Sequence, residues 1–280
     1  MIRLAIAGAA GRMGCALIRT IAQTEGVVVS TAIEHDASPS LGLDAGLVAG
    51  CGEIGVPVLA DLIDTEHGNA DKSKVDRGKA NFDLMVDFTA PAATLEHVQF
   101  CRNLGKAMVI GTTGIDAKGA DLIGQAADDI PIVLAANTSV GVNLCVALLE
   151  TASRVLGNLT DIEVIEAHHR HKVDAPSGTA LLLAQAVAKP LGKDVVKDGV
   201  FSRHGHTGER KPGTIGFSTI RGGDIAGEHT VMFIGDGERI EITHRATDRK
   251  IFAIGAIKAV LWLAKRPPGL FNMQDVLGLR

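Results

Sequence analysis

Residues 2–14 read Ile-Arg-Leu-Ala-Ile-Ala-Gly-Ala-Ala-Gly-Arg-Met-Gly, and this stretch decides the fold. Ile2 to Ala7 is an apolar run of strand length. Gly8, Gly11 and Gly14 punctuate a turn, and Leu17, Ile18 and Ile21 continue at helical spacing. Glycines at a strand-to-helix turn let the backbone approach a pyrophosphate, whose charge then rests on the helix N-terminus. The spacing is G-x-x-G-x-x-G rather than G-x-G-x-x-G, so the residues that follow carry weight. Val27 to Ile33 is a β-branched run ending at Glu34, twenty residues past Gly14, where an acid accepts the hydroxyls of an adenosine ribose. Strand, glycine turn, helix, strand and acid, in that order, predict a dinucleotide-binding sheet.

The rhythm continues through the first half. Residues 82–89, 107–111 and 131–135 read as short apolar strands, and 92–104 and 116–128 as the helices between them. Alternation of this kind predicts a doubly wound, Rossmann-like parallel sheet. Hydrophobic residues make up 46% of the chain but aromatics only 3%, so the core is built from Ala, Val, Leu and Ile, as in sheets covered by helices on both faces. Thr89-Ala90-Pro91, Gly111-Thr112-Thr113-Gly114 and Asn137-Thr138-Ser139 fall at strand ends, where ligands bind in such folds, and are expected to line a nicotinamide pocket.

After Asn137 the pattern changes. A long helix over about 139–156 leads to a strand, a second aliphatic helix, a Gly/His/Arg-rich loop at 198–213 and β-patterned segments at 214–220, 229–235 and 239–245. Val231-Met232-Phe233-Ile234 is apolar on both faces, so one face is expected to pack on helices and the other on a second subunit. From Ile251 the chain turns helical again and is expected to rejoin the nucleotide domain. The division is therefore 1–138 with 249–280 for the nucleotide and 139–248 for substrate and assembly. Residues 64–81 are charged, poor in large apolar side chains and read as an exposed loop.

The residues expected to carry chemistry are Glu166 to Thr179, Glu-Ala-His-His-Arg-His-Lys-Val-Asp-Ala-Pro-Ser-Gly-Thr. His168, His169, His171 and Lys172 are proton carriers or cations, and Arg170 between them is always charged. Ser177-Gly178-Thr179 opens the aliphatic helix, and a helix N-terminus attracts carboxylates. Proton donors beside an anion cradle suit a small acidic substrate protonated during reaction. A His-x-His pair also suits a metal, but crowding by Arg170 and Lys172 opposes a cation, so no metal is expected. A solvated charged edge is the other plain reading.

Net charge of −4 disfavours a nucleic-acid partner. No apolar run reaches the ~18 residues of a membrane span. Cys15, Cys51, Cys101 and Cys145 lack metal or redox spacing and read as reduced residues of a cytoplasmic protein.

Glu166 to Ala180, Gly8 to Gly14, Gly111 to Gly114, Ser139-Val140-Gly141-Val142-Asn143 and Gly205-His206-Thr207-Gly208-Glu209-Arg210 closely resemble the dihydrodipicolinate (4-hydroxy-tetrahydrodipicolinate) reductase family of lysine and diaminopimelate synthesis. The resemblance runs nearly end to end. It implies a nucleotide domain, a C-terminal α+β domain with a mixed sheet, a homotetramer assembled through those sheets, and reduction of a cyclic dicarboxylated imine by NADH or NADPH. It also implies His168 as general acid/base with Lys172 as its partner, and His169, Gly178 and Thr179 as substrate ligands. Ser177 is added to these by its place at the helix terminus. Implied cofactor contacts are Gly8, Ala9, Ala10, Gly11, Arg12, Met13, Glu34, Gly111, Thr112, Thr113, Ala135, Ala136, Asn137 and Thr138.

The chain departs from the family pattern at three places: an arginine commonly follows the ribose-binding acid, where His35 stands here; Asn-Phe-Ser is replaced by Asn137-Thr138-Ser139; and 64–81 is longer. His35 makes a weaker partner for the 2′-phosphate of NADPH than an arginine fork would, so NADH is expected to be preferred or both to be used. Two rival readings are another nicotinamide reductase of a small dicarboxylate and a non-catalytic NAD sensor. The chain has no tyrosine, which excludes a Tyr/Lys acid, and its cationic cluster is surplus to nucleotide binding alone.

Overall fold

The computed structural model describes residues 1–60 and 81–279, so the loop expected at 64–81 lies, save its last residue, outside the described residues. The chain begins β1 (Ile2–Ala7), α1 (Arg12–Ile21), β2 (Val27–Ile33), α2 (Ala45–Ala49) and β3 (Val58–Leu59). It continues β4 (Leu84–Asp87), α3 (Pro91–Leu104), β5 (Ala107–Ile110), α4 (Ala117–Ala127) and β6 (Pro131–Leu134). Then come α5 (Val140–Leu156), β7 (Asp161–His168), α6 (Gly178–Ala188), α7 (Val195–Asp198) and β8 (Gly199–Val200). The last elements are β9 (Ile215–Arg221), β10 (Gly227–Ile234), β11 (Arg239–Ala246), α8 (Lys250–Leu263), β12 (Gly269–Phe271) and α9 (Met273–Leu277). Two compact units result, Met1–Ser139 with Lys250–Gly278, and Val140–Arg249.

In the first unit all seven strands run parallel in the order β12-β6-β5-β4-β1-β2-β3. Successive strand side chains point to opposite faces, and here both faces are apolar. Leu4, Ile6, Val86, Val109 and Val133 pack with Leu17 and Ile21 of α1 and with Ala253, Ala256 and Val260 of α8. Ala5, Ala7, Met85, Met108 and Ile132 pack on the other side with Val98 and Cys101 of α3 and Ile123 of α4. This is the Rossmann-like sheet, and the short β12 extends it beyond β6.

The second unit holds a mixed sheet in the order β11-β10-β7-β9-β8, with β9 parallel and β10 antiparallel to β7. Ile162, Val164, Ile215, Phe217, Val231 and Phe233 form one face of it, covered by Val146 and Leu149 of α5 and Leu183 and Val187 of α6. Val231 and Phe233 are thus core residues of this chain, 0% and 1% exposed. Met232 and Ile234, half-buried, alternate onto the opposite face. A partner surface expected on this strand is therefore confined to the face of Met232 and Ile234, and Phe233 is not part of it. No described helix is long and apolar enough to cross a membrane.

Candidate active site

The turn after β1 has the geometry its glycines require. A Cβ on Gly14 would lie 2.1 Å from the carbonyl oxygen of Gly8 and 2.7 Å from the Cα of Ala9, so α1 meets the turn backbone to backbone. Gly11 caps α1 in extended conformation, and Arg12, exposed, is the first helical residue. Glu34 follows β2 directly. Its carboxylate accepts the N–H of Ala10 at 3.0 Å and that of His35 at 3.2 Å, which holds it against the turn. Met13 is half-buried and the His35 ring largely exposed. An acid held beside a backbone-only turn fits a nucleotide with a free ribose.

The loops after β4 and β5 are organised by Asp87, a residue that the sequence does not single out. It is fully buried, and its Oδ1 accepts from the Thr89 N–H and from the hydroxyls of Thr89, Thr94 and Thr112. Its Oδ2 lies 2.6 Å from His97 Nδ1. Burial opposes the charge on Asp87, but the hydrogen bond and charge of His97, with the threonine hydroxyls, outweigh it and hold the carboxyl below its usual range. Thr112 is therefore turned inward. Thr138 likewise donates its hydroxyl to the Phe252 carbonyl at 2.8 Å, and both threonines are buried. Gly111 and Ala135 are tied through their N–H groups to Asp87 O and Ile110 O. Thr113 and Ala136 are exposed, and the Asn137 side chain accepts the Ser139 N–H.

In the second unit, strand register assembles a cluster at one end of the mixed sheet. Ile162, Val164, Glu166 and His168 alternate onto the same face of β7. Glu166 stands opposite Thr219 on β9 and His229 on β10, and His168 opposite Arg221. The apolar face thus becomes ionisable over its last turn of pleat. Glu166, 1% exposed, is the junction. Its Oε2 lies 2.6 Å from His168 Nδ1. Arg221 grips both carboxylate oxygens at 2.7 Å, and Oε1 also accepts the Ser177 N–H at 3.1 Å and the Thr219 hydroxyl at 3.3 Å.

Burial opposes charge on Glu166 as well, yet the Arg221 and His168 hydrogen bonds prevail and keep it ionised below its usual range. Burial pushes His168 below the ordinary histidine value; the Glu166 bond opposes this, while Lys172 and Arg221 reinforce it. His168 is then neutral near pH 7, with its proton on Nδ1 toward Glu166 and Nε2 bare. A Cβ on Gly227 would come within 3.1 Å of that Nε2, so the glycine keeps room beside it. His229 packs edge-on against His168 at 5.1 Å between ring centroids, and burial lowers it to about 4. Its Nε2 lies 2.9 Å from the Ser177 hydroxyl.

Lys172 pairs with both oxygens of Asp174 at 2.8 and 2.9 Å. His169 donates its N–H to the Ile225 carbonyl, and Arg249 approaches its Nε2 at 3.4 Å. Ser177 differs from its expected place in the cradle. Its amide goes to Glu166 and its hydroxyl caps α6 by accepting the Ala180 N–H at 3.1 Å. Its amide and hydroxyl are thus engaged within the fold, and they position the start of α6. Thr219, Arg221 and His229 complete the cluster beyond the motif, around Glu166, the motif's first residue. The alternation of β7 signals Glu166, but the cross-strand partners depend on a register that no local pattern encodes.

A Rossmann-like sheet opening on a glycine turn, joined to a mixed sheet with a buried His–Glu–Arg cluster, is the architecture of a two-part α/β oxidoreductase. Residues 2–138 match the model of the dihydrodipicolinate reductase N-terminus and 141–277 that of its C-terminus, so the chain belongs to the dihydrodipicolinate reductase family. Among solved structures it is similar to a dipicolinate-bound dihydrodipicolinate reductase from Paenisporosarcina sp. TG-14, with 24% identity, a TM-score of 0.72 and 98% of each chain covered. It is similar in fold to an amine dehydrogenase from Mycobacterium smegmatis (12% identity, TM-score 0.60, 97% of this chain and 95% of that one). It also resembles GenD2 of gentamicin A biosynthesis in complex with NAD (13%, 0.60, 99% and 90%).

Proposed function

We propose that this chain reduces 4-hydroxy-tetrahydrodipicolinate (dihydrodipicolinate) to tetrahydrodipicolinate in diaminopimelate and lysine synthesis, using NADH or NADPH. The observation that carries this reading is the 2.6 Å contact between His168 and buried Glu166, whose other oxygen holds the start of α6. Proton donor and anion cradle are thereby hung on one carboxylate. Membership of the family supplies the reaction class.

Residues 1–138 with 249–280 are assigned to the nucleotide, and 139–248 to substrate and assembly as a cytoplasmic homotetramer. When bound, the nicotinamide would supply hydride to the conjugated imine. Gly8, Ala9, Ala10, Gly11, Arg12 and Met13 would hold the pyrophosphate, Glu34 the ribose, and the backbone of Gly111 to Thr113 and Ala135 to Thr138 the nicotinamide end. Gly178 and Thr179 at the N-terminus of α6, with His169 and Lys172, hold the substrate carboxylates. Arrival of two negative charges beside neutral His168 favours its imidazolium form, which protonates the carbon of the reduced ring.

Lys172 has three donors, and Asp174 takes two of them in the structure. Lys172→Ala is expected to weaken binding of pyridine-2,6-dicarboxylate by about 1.5–3 kcal/mol, one charge-assisted contact. Calorimetry with unchanged affinity would remove Lys172 from the carboxylate site.

The reaction is tested directly with substrate generated by a coupled synthase and each cofactor in turn. Nicotinamide absorbance is expected to fall, with the higher kcat/KM for NADH. Glu34 can accept from both ribose hydroxyls of NADH but repels a 2′-phosphate, and exposed His35 gives that phosphate no bidentate partner. His35→Arg is expected to raise the NADPH value selectively. A strong NADPH preference in the unaltered protein would show that other cations, Arg12 among them, form a phosphate site.

A further inference from the structure

We propose that Glu166 and Arg221 are a positioning pair that holds His168 as a neutral Nδ1–H tautomer in the resting protein and lets it charge only when a dianion arrives. The inference deepens the reductase reading and rests on it for the identity of the dianion.

The geometry sets the tautomer. The Glu166 carboxylate can only accept, and it lies 2.6 Å from Nδ1, so Nδ1 carries the proton and Nε2 remains for exchange with substrate. A lone buried carboxylate this close would lock the ring as imidazolium. Burial of the ring opposes that lock, and Arg221 opposes it further by neutralising Glu166 through two bonds of 2.7 Å. Arg221 also donates to the Asp174 carbonyl at 2.7 Å, and Asp174 in turn holds Lys172. One guanidinium therefore ties together the strand bearing the proton donor and the loop bearing the cation.

The charges around His168 are consistent with this balance. Glu166 from β7 is the anion. Arg221 from β9 and Lys172 from the following loop are cations, and His229 from β10 is neutral at working pH. Burial first, with the two cations, outweighs the single anion and leaves the ring unprotonated, and two added carboxylates act in the opposite sense. Thr219 and the Ser177 N–H fill the remaining acceptor sites of Oε1, so Glu166 cannot swing away to follow a charged ring.

The test uses the full chain and pyridine-2,6-dicarboxylate as the dianion. Ring nitrogen NMR of the unaltered protein near neutral pH is expected to show His168 with its proton on Nδ1. Binding measured calorimetrically in buffers of different ionisation enthalpy should show uptake of about one proton. In Arg221→Gln the resting ring should be imidazolium over a wider pH range, and proton uptake should fall below about half that of the unaltered protein. Arg221→Lys keeps the charge without the fork and should fall between the two. Far-ultraviolet circular dichroism identifies any variant that fails to fold, in which case Arg221→Lys decides. A proton on Nε2 in the unaltered protein, or unchanged tautomer and uptake in the folded variants, overturns the proposal. These readouts need no turnover. If they hold while the imine assay shows no reduction, the pair stands and the substrate assignment falls; the reverse pattern rejects the pair alone.

Discussion

Replacing His168 by glutamine is expected to lower kcat by at least ~10²-fold while leaving nucleotide affinity nearly unchanged. Glutamine keeps a polar group of similar length against Glu166 but cannot carry a mobile proton. The residue sits in the mixed-sheet unit, remote in sequence from the glycine turn and from Glu34, so fluorescence titration with NADH should be little affected. The pH dependence provides a second check. An acid must be protonated to act, so kcat/KM, which reports the free enzyme, should fall as pH rises through a value below the ordinary histidine range. In the complex the two substrate carboxylates favour the imidazolium, so the corresponding limb in kcat should lie at higher pH. Both limbs should vanish in the glutamine variant. Turnover like that of the unaltered protein would end the assignment of His168 as the proton donor.

The parts legible in the sequence were those written in short-range patterns. The strand–glycine–helix–strand–acid order of residues 2–34 led directly to the parallel sheet, because each element announces itself by its own period. Short elements did not: β3 has two residues and β12 three, too few for any periodicity. The His-rich motif was visible as composition, yet its working arrangement was not. Glu166 lies opposite Thr219 and His229, more than fifty positions along the chain, and those partners follow from register. Asp87 and His97 were hidden for a similar reason. A buried aspartate at a strand end looks like ordinary turn chemistry until its threonine neighbours are placed around it. Thr112 and Thr138 are a related case: their loop position was legible, but not that their hydroxyls donate within the fold.

Phe233→Glu is expected to unfold the second unit rather than to separate subunits. Phe233 is 1% exposed within the core that joins the sheet to α5 and α6, and its strand neighbours are Ile162 and Ile240. Removing a buried aromatic costs roughly 3–5 kcal/mol, and an unpaired carboxylate there adds several more. Their sum rivals the ~5–15 kcal/mol that stabilises a typical domain. Met232, one residue earlier, reports on assembly instead. It is half-buried on the opposite face and stands between Glu163 and Glu241. A lysine there gains two acidic neighbours, so Met232→Lys should fold with nearly unchanged melting temperature. It also places a new cation on the face turned away from the core, so sedimentation should shift toward smaller species if subunits pair through this sheet. A folded Phe233→Glu would contradict the face assignment. An unaltered protein already monomeric at micromolar concentration, or a Met232→Lys variant that sediments identically to it, would place the subunit contact elsewhere.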